Sequence, residues 1–468
     1  MESCIMIAAL TLQQVAEFCR SSLHAVLHNG DTAFTRVNTD TRKLAAGELF
    51  IALRGENFDA HNFLAQAAEK NVCGLVVEKF DPSIALPQLV VSDSLLALGQ
   101  IAAMNRAAFS GKLLAITGSS GKTTVKTMLA NILRECGEVW ATQGNFNNHI
   151  GVPLTLLQLE AKHQYAVIEM GASAIGEIEY LCTLAKPSVS MVNNIMPAHI
   201  QGFGSIEGVA RAKSEIYQQL PPDGTAVVNL DEPYAAQWRP HIHANTITVS
   251  LAQTTADCFA KNILFATDAV EFTLVIRHQQ VTVQINALGE HSVRNALMAA
   301  AMASAVGATP LQIQRGLENF APVSGRMSRH CGFNNALVID DSYNANPGSV
   351  RAAIDVLSAS KGQRILVLGD LAELGDDAAS LHADLGVYAK NKIDRLFTLG
   401  ALSQHASESF GGAREAAHFT SRDDLVQQLK LLASAETTFL IKGSRSAKMD
   451  LVVNALTSLQ DNPGGEKP

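Results

Sequence analysis

The chain has 468 residues, too long for one compact core at ordinary domain sizes, so two or three domains are expected. Hydrophobic residues make up 47% and charged residues 17%, which suits packed cores and excludes a largely disordered chain. The formal net charge is -8, from 36 basic and 44 acidic residues, and no Lys/Arg block of five or more occurs, which argues against nucleic acid as the main ligand.

Seven cysteines (Cys4, Cys19, Cys73, Cys136, Cys182, Cys258 and Cys331) are widely spaced, and no C-x-x-C occurs. A disulfide framework or zinc site is therefore not expected, and a reducing cytoplasmic setting fits best. The opening "MESCIMIAALTLQQVAEFCR" has no basic segment before its apolar stretch, so it does not read as a signal peptide. The most apolar run, "NALMAAAMASAVGA" at 295 to 308, is too short to span a bilayer and reads as a buried Ala-rich helix.

Residues 1 to about 85 mix short patterns: "GELFIAL" and "CGLVVE" as strands, "NFLAQAAEK" with helical spacing. A first boundary is placed near residue 86, around Pro82 and Pro87. "DSLLALGQIAAMNRAAF" (93 to 109) reads as a helix capped by Asp93 or Ser94. From Lys112 apolar strand runs alternate with helices: "KLLAIT", "YAVIEM", "SVSMVNNI", "GTAVVNL". That alternation predicts a parallel α/β sheet. Between about 245 and 286 the pattern becomes two-residue alternation, with a hairpin turning at "RHQQ". Helices return in "HSVRNALMAAA" and "TPLQIQRGLENF". "APVSGRMS" (321 to 328) is the linker candidate, followed by a second α/β series: "NALVIDD", "RILVLGD", "DRLFTLG", "TTFLIKGS". The domains predicted are 1–85, 86–321 and 322–468.

The chemistry centres on "AITGSSGKTTVKTML" (115 to 129). Strand, Gly-rich turn, Lys-Thr and helix form the context of a phosphate-binding loop. The backbone N–H groups of 118 to 122 are expected to wrap phosphate oxygens at a helix N-terminus. Lys122 would reach the terminal phosphates, and the Thr123 hydroxyl would serve Mg²⁺. The loop departs from the full pattern, because Ile116 stands where its first glycine belongs.

In doubly wound sheets ligands bind beyond the carboxyl ends of strands. Glu169 follows "YAVI" there and suits Mg²⁺, which prefers oxygen. His199 follows the next strand, Lys213 lies on a helix beyond it, and Asp340, Asp341 and Asn344 follow "NALVI". Each alone has an ordinary explanation: a satisfied histidine, a solvated lysine, a turn former. Their shared position after strand ends raises them together.

On "TGSSGKTT", "TQGNFNNHIGVPLTLL", "IEMGAS", "DDSYNANPGS", "LVLGDLAELG" and "LIKGSRS", the chain resembles the Mur ligases, ATP-dependent amide-forming enzymes of peptidoglycan precursor synthesis. It is most similar to the branch that joins D-alanyl-D-alanine to UDP-MurNAc-tripeptide. The resemblance implies three domains: a small N-terminal α/β domain binding the UDP-sugar, a central P-loop ATPase-like domain with a mainly parallel sheet, and a C-terminal Rossmann-like α/β domain. It implies that Gly118, Ser119, Ser120, Gly121, Lys122, Thr123 and Thr124 hold the phosphates of ATP. Thr123 and Glu169 would ligate one Mg²⁺. His199 would serve a second, with Lys213 as a carbamate. Lys122, His199 and Lys213 are the catalytic candidates. Asn295 matches an adenine-side contact; Arg326, Asp341 and Asn344 match ATP contacts of the linker and third domain. Asp40, Thr41 and Arg42 ("DTR"), with Asn145 and Asn148, would meet the sugar-nucleotide. Lys442, Ser444 and Arg445 would lie near the dipeptide or the transferred phosphate. The linker at 321 to 328 would be the hinge of a closing third domain.

The ligase that adds the third residue carries D-N-P-R, whereas the one similar run here is "DNPG" at 461 to 464. A folylpolyglutamate synthase suits neither "DTR" nor "GNFNNHIGVP". A switch or motor ATPase wants the longer loop and an aspartate where Glu169 stands. A monomer is expected, since nothing suggests an interface stripe.

Overall fold

The computed structural model describes residues 5–55, 58–197, 200–266, 268–412 and 415–457. Three main sheets divide it. The first has five strands in the order Val26–His28, Gln88–Val90, Gly74–Val77, Leu49–Ile51, Val37–Asn38. Gln88–Val90 pairs with strands on both sides, so this sheet runs past the boundary expected at 86. Pro82 and Pro87 lie in the loop between Gly74–Val77 and Gln88–Val90, inside this sheet. Asp93 caps that helix by accepting from the Leu96 N–H.

The second sheet has nine strands, in the order Val139–Ala141, Tyr165–Glu169, Lys112–Thr117, Val189–Val192, Thr225–Asn229, Asn245–Ser250, Cys258–Phe265, Val270–Ile276, Gln279–Ile285. Successive neighbours are parallel as far as Cys258–Phe265, and only the last two pairings are antiparallel. The alternating region therefore begins later than residue 245, because Asn245–Ser250 still pairs in parallel with Thr225–Asn229. The hairpin turns at Arg277 and His278, both at positive φ (47° and 65°), the backbone that a two-residue turn needs to match strand twist. The buried helix Glu290–Ala305 packs on the helix Lys122–Arg134 behind this sheet, and its alanines let the two approach closely. Among the described residues no helix is long and apolar enough to cross a membrane.

The third sheet has the order Ser328–Cys331, Leu337–Asp341, Thr437–Lys442, Gln363–Gly369, Arg395–Leu399, Ala416–Phe419. All pairings but the first are parallel. The six described cysteines are free. Both parallel sheets turn their carboxyl ends toward one cleft, lined by the ends of Lys112–Thr117, Tyr165–Glu169, Leu337–Asp341 and Thr437–Lys442.

Candidate active site

The cleft is a cavity of about 510 Å³ lined from both the central and the C-terminal domain. Gly118 to Thr124 form one wall, in the turn between the strand Lys112–Thr117 and the helix Lys122–Arg134. Gly121 is left-handed (φ 76°), and a Cβ there would stand 2.5 Å from Asn193 Nδ2 and 2.8 Å from Asn295 Oδ1. Only glycine fits both the backbone and the space.

The loop departs from expectation in its amides. The Ser119 N–H donates to the Asn194 carbonyl (2.9 Å), and the Ser120 N–H to Asn194 Oδ1 (2.8 Å). Asn193 Nδ2 donates to Ser120 O (2.9 Å) and to Asn295 Oδ1 (3.0 Å). In this state two of the amides expected to wrap phosphate are turned into the protein, held by the end of the strand Val189–Val192. Asn193 and Asn194 were not singled out in the sequence, where asparagines after a strand read as turn formers.

Lys122 lines the cavity and its Nζ donates to Gly118 O (2.8 Å). Desolvation holds its amine below the ordinary lysine range, and Glu169 opposes that shift. Thr123 Oγ1 donates to Glu169 Oε2 at 2.8 Å. Asn147 Nδ2 donates to the other carboxylate oxygen, Oε1, at 2.8 Å. Lys126 Nζ stands 3.9 Å from Glu169 Oε2. Asn147 thus joins the carboxylate directly, while its expected neighbours do something else. Asn145 and Asn148 both line the cavity, and Asn148 Oδ1 accepts from the N–H groups of Ile150 and Gly151.

Among the described residues no cluster of three His, Cys, Asp or Glu side chains could hold a metal. The donor set at Glu169 is different in kind: a hydroxyl and a carboxylate 2.8 Å apart on the cavity wall. Hard oxygen donors beside a phosphate loop fit Mg²⁺, with water and phosphate completing its shell. His199 lies outside the described residues.

Lys213, on the helix Ile206–Gln218, is 2% exposed, lines the cavity and has its Nζ 5.6 Å from the Phe203 ring centroid. Burial, then repulsion by Lys122, push its amine down to about 7, against partial support from Glu177 and Glu215. Two residues on, Glu215 accepts from the N–H groups of Gly176 (2.8 Å) and Glu179 (3.0 Å), which ties this helix to the start of Glu177–Ala185.

The C-terminal wall brings Asp341, Asn344, Lys442 and Arg445 to the same cavity. Lys442, 2% exposed, donates to Asp341 Oδ2 (2.5 Å) and Asn344 O (3.0 Å). Burial raises the Asp341 carboxyl and Lys442 opposes the rise. Ser444 is not on the cavity wall; its hydroxyl donates to Asp370 O at 2.6 Å and fixes the strand-end loop. Asp40, Thr41 and Arg42 are not on it either, and Arg42 Nε pairs with Asp40 Oδ1 at 2.8 Å on the N-terminal domain. Among the unanticipated side chains that line the cavity are His291, Arg294 and Tyr343. Burial, with Lys442 and Arg294 nearby, pushes His291 down to about 4, so it is neutral near pH 7.

A phosphate loop, an oxygen donor pair and a cationic wall from a second α/β domain define a class: an ATP-cleaving enzyme that does its chemistry between two domains. The Mur ligase middle domain matches residues 116–303, and the Mur ligase glutamate ligase domain matches residues 325–445. The chain is 43% identical over 452 residues to the UDP-N-acetylmuramoyl-tripeptide–D-alanyl-D-alanine ligase of Escherichia coli, covering 96% of this chain and 98% of that one. Among solved structures it is similar to MurF from Acinetobacter baumannii (TM-score 0.90, 35% identity, 97% and 99% covered). It is also similar to the MurF ligase of Thermotoga maritima in complex with ADP (TM-score 0.83, 25% identity, 90% and 97% covered). The chain belongs to the Mur ligase family.

Proposed function

We propose that this chain joins D-alanyl-D-alanine to UDP-MurNAc-tripeptide, cleaving ATP to ADP and phosphate. The reading rests on the relatives of that activity over nearly the whole chain. The observation that carries it is the single cavity, in which the phosphate loop, Glu169 and Lys213 face Lys442 and Arg445 of the other domain. An ATPase switch needs only the first wall.

The tripeptide's terminal carboxylate attacks the γ-phosphorus, and the bond to the β-γ bridging oxygen breaks, giving an acyl phosphate and ADP. The dipeptide's amine, having lost its proton, attacks the acyl carbon. The tetrahedral adduct gives its remaining ammonium proton to the departing phosphate, the bond from carbon to the phosphate oxygen breaks, and the amide is left. The protein's task is positioning and charge neutralisation. Lys122 would exchange its bond to the Gly118 carbonyl for one to a terminal phosphate oxygen. Thr123 and Glu169 would hold Mg²⁺, which would supply positive charge against the phosphates. Asn147 orients Glu169. Lys213, neutral above about 7, can take up CO₂ as a carbamate and so offer oxygen donors near a second ion, with His199 as its other candidate ligand. Asn295 would face the adenine side, and Asp341 and Asn344 the nucleotide from the other domain. Lys442 and Arg445 would meet the transferring phosphate, and Asp40 to Arg42 the uridine end. Closing the cleft keeps water from the acyl phosphate.

The test is phosphate release with ATP, Mg²⁺, UDP-MurNAc-tripeptide and D-alanyl-D-alanine, omitting each in turn. The expected result is release that needs all four, with the pentapeptide product in the mass spectrum. Equal release without either peptide would sink the ligase reading and leave an ATPase cradle.

A further inference from the structure

We propose that Tyr343 is a positioning residue for Arg326, and that the two move together as part of the C-terminal domain. Domain closure then delivers an arginine already aimed at the nucleotide. The inference rests on reading Arg326 as a nucleotide contact.

By sequence Arg326 lies in the linker, in the segment 321 to 328 expected to be the hinge. The contacts divide that segment. The Gly325 N–H donates to Asp340 Oδ2 at 3.0 Å, and the Tyr343 N–H donates to Gly325 O at 3.1 Å. Asp340 is itself fixed, because its Oδ1 accepts from the Ser342 N–H and hydroxyl. Gly325 packs closely on the same residue: a Cβ there would be 3.0 Å from Tyr343 Cβ. The backbone on either side of Arg326 is left-handed, at Gly325 (φ 75°) and Met327 (φ 59°). A methionine keeps that conformation only where its surroundings over-determine it. Residues 325 to 327 are therefore built onto the loop after Leu337–Asp341, and the Arg326 N–H, donating to Val323 O at 3.0 Å, extends that anchorage back to 323.

The Arg326 guanidinium carbon stands 4.2 Å from the Tyr343 ring centroid, within stacking range. Arg445 stands 5.5 Å from the same ring. An arginine held on a ring has lost much of its rotamer freedom before the nucleotide arrives. All three side chains line the cavity. Tyr343 therefore sets where the linker cation points.

The test is a double-mutant cycle on kcat/KM for ATP, using the full-length enzyme with both peptide substrates and thermal melts as a folding check. The variants are Y343F, Y343L, R326A and Y343L/R326A. The expected pattern is Y343F within about twofold of wild type, Y343L down about tenfold, and R326A down about a hundredfold, as for loss of a charge at the transferring phosphates. Y343L should then cost nothing more in the R326A background. If Y343L still costs its full factor there, Tyr343 acts directly or through Arg445, and the proposal is overturned. If R326A alone leaves kcat/KM unchanged, the reading of Arg326 as a nucleotide contact fails first, and that failure is visible without the cycle. Should Y343L not fold, Y343H takes its place, keeping a ring with a poorer face for a cation, and the same two comparisons decide.

Discussion

Lys213 is the side chain whose chemistry depends most on its surroundings. An exposed lysine is protonated near neutral pH and cannot add CO₂. Burial and the neighbouring Lys122 lower this one to about 7 from an ordinary 10.5. The sign follows: below about 7 the amine carries its proton, and above it the amine is free to form a carbamate. At fixed bicarbonate, activity should therefore fall as pH drops through about 7. Labelled bicarbonate should give a carbamate signal in the wild-type enzyme that K213R lacks; the same signal in K213R would sink the assignment. Between about 7 and 10.5 the unfolded chain holds this proton and the folded chain does not, so this group makes stability rise with pH across that window. At Glu169 charge is the issue. E169Q keeps the shape and can keep its Asn147 partner, but removes the anion facing Thr123, Lys122 and Lys126. The expected loss in kcat is about a hundredfold or more, with a shift in Mg²⁺ dependence and little change in Tm. A normal Mg²⁺ titration in E169Q would exclude Glu169 as a ligand.

At the scale of elements, the phosphate loop is a joint between two strands. The strand Lys112–Thr117 leads into it, and the residues after Val189–Val192 hold it from behind. G121A should therefore damage it twice, by the positive φ and by collision with Asn193 and Asn295. Binding of a fluorescent ATP analogue should weaken at least about tenfold, the Gly→Ala strain alone being of that order. Unchanged binding would mean the loop opens when nucleotide enters, releasing Asn194 from the Ser119 and Ser120 amides. Which elements were legible follows from the same physics. Lys112–Thr117, Tyr165–Glu169 and Thr437–Lys442 are buried on both faces, so they read as unbroken apolar runs. Val26–His28, Gln88–Val90, Ser328–Cys331 and Ala416–Phe419 span three or four residues, with polar or half-exposed positions, and left no periodic signal. At the site, Lys122, Thr123 and Glu169 were legible because strand, turn and helix fix them locally. Asn147, Asn194 and Tyr343 were not, because each acts on a partner at least 22 residues away or through a ring contact that spacing does not encode.

For the whole molecule, the candidate site residues are divided among three bodies. The central sheet presents the phosphate loop and Glu169, and the C-terminal sheet presents Asp341, Lys442 and Arg445 to the same cavity. The N-terminal sheet carries Asp40 and Arg42 away from that cavity, on a surface where Arg42 is exposed and its charge is answered by Asp40. A substrate with a nucleotide at one end and a reacting carboxylate at the other can span such a gap. Its two ends should then be separable by mutation. The D40A/R42A double variant removes both charges together and leaves neither without its counter-ion. If this surface holds the uridine end, KM for UDP-MurNAc-tripeptide should rise about tenfold or more, the order of one lost charge-assisted contact, with kcat and KM for ATP nearly unchanged. K442A should do the reverse, lowering kcat while leaving the KM for the sugar-nucleotide in place, because Lys442 sits with Asp341 on the cavity wall. Steady-state kinetics with one substrate varied at a time distinguishes the cases. If D40A/R42A instead lowers kcat with its KM values unmoved, the uridine end binds elsewhere, and the division of labour among the three domains has to be redrawn.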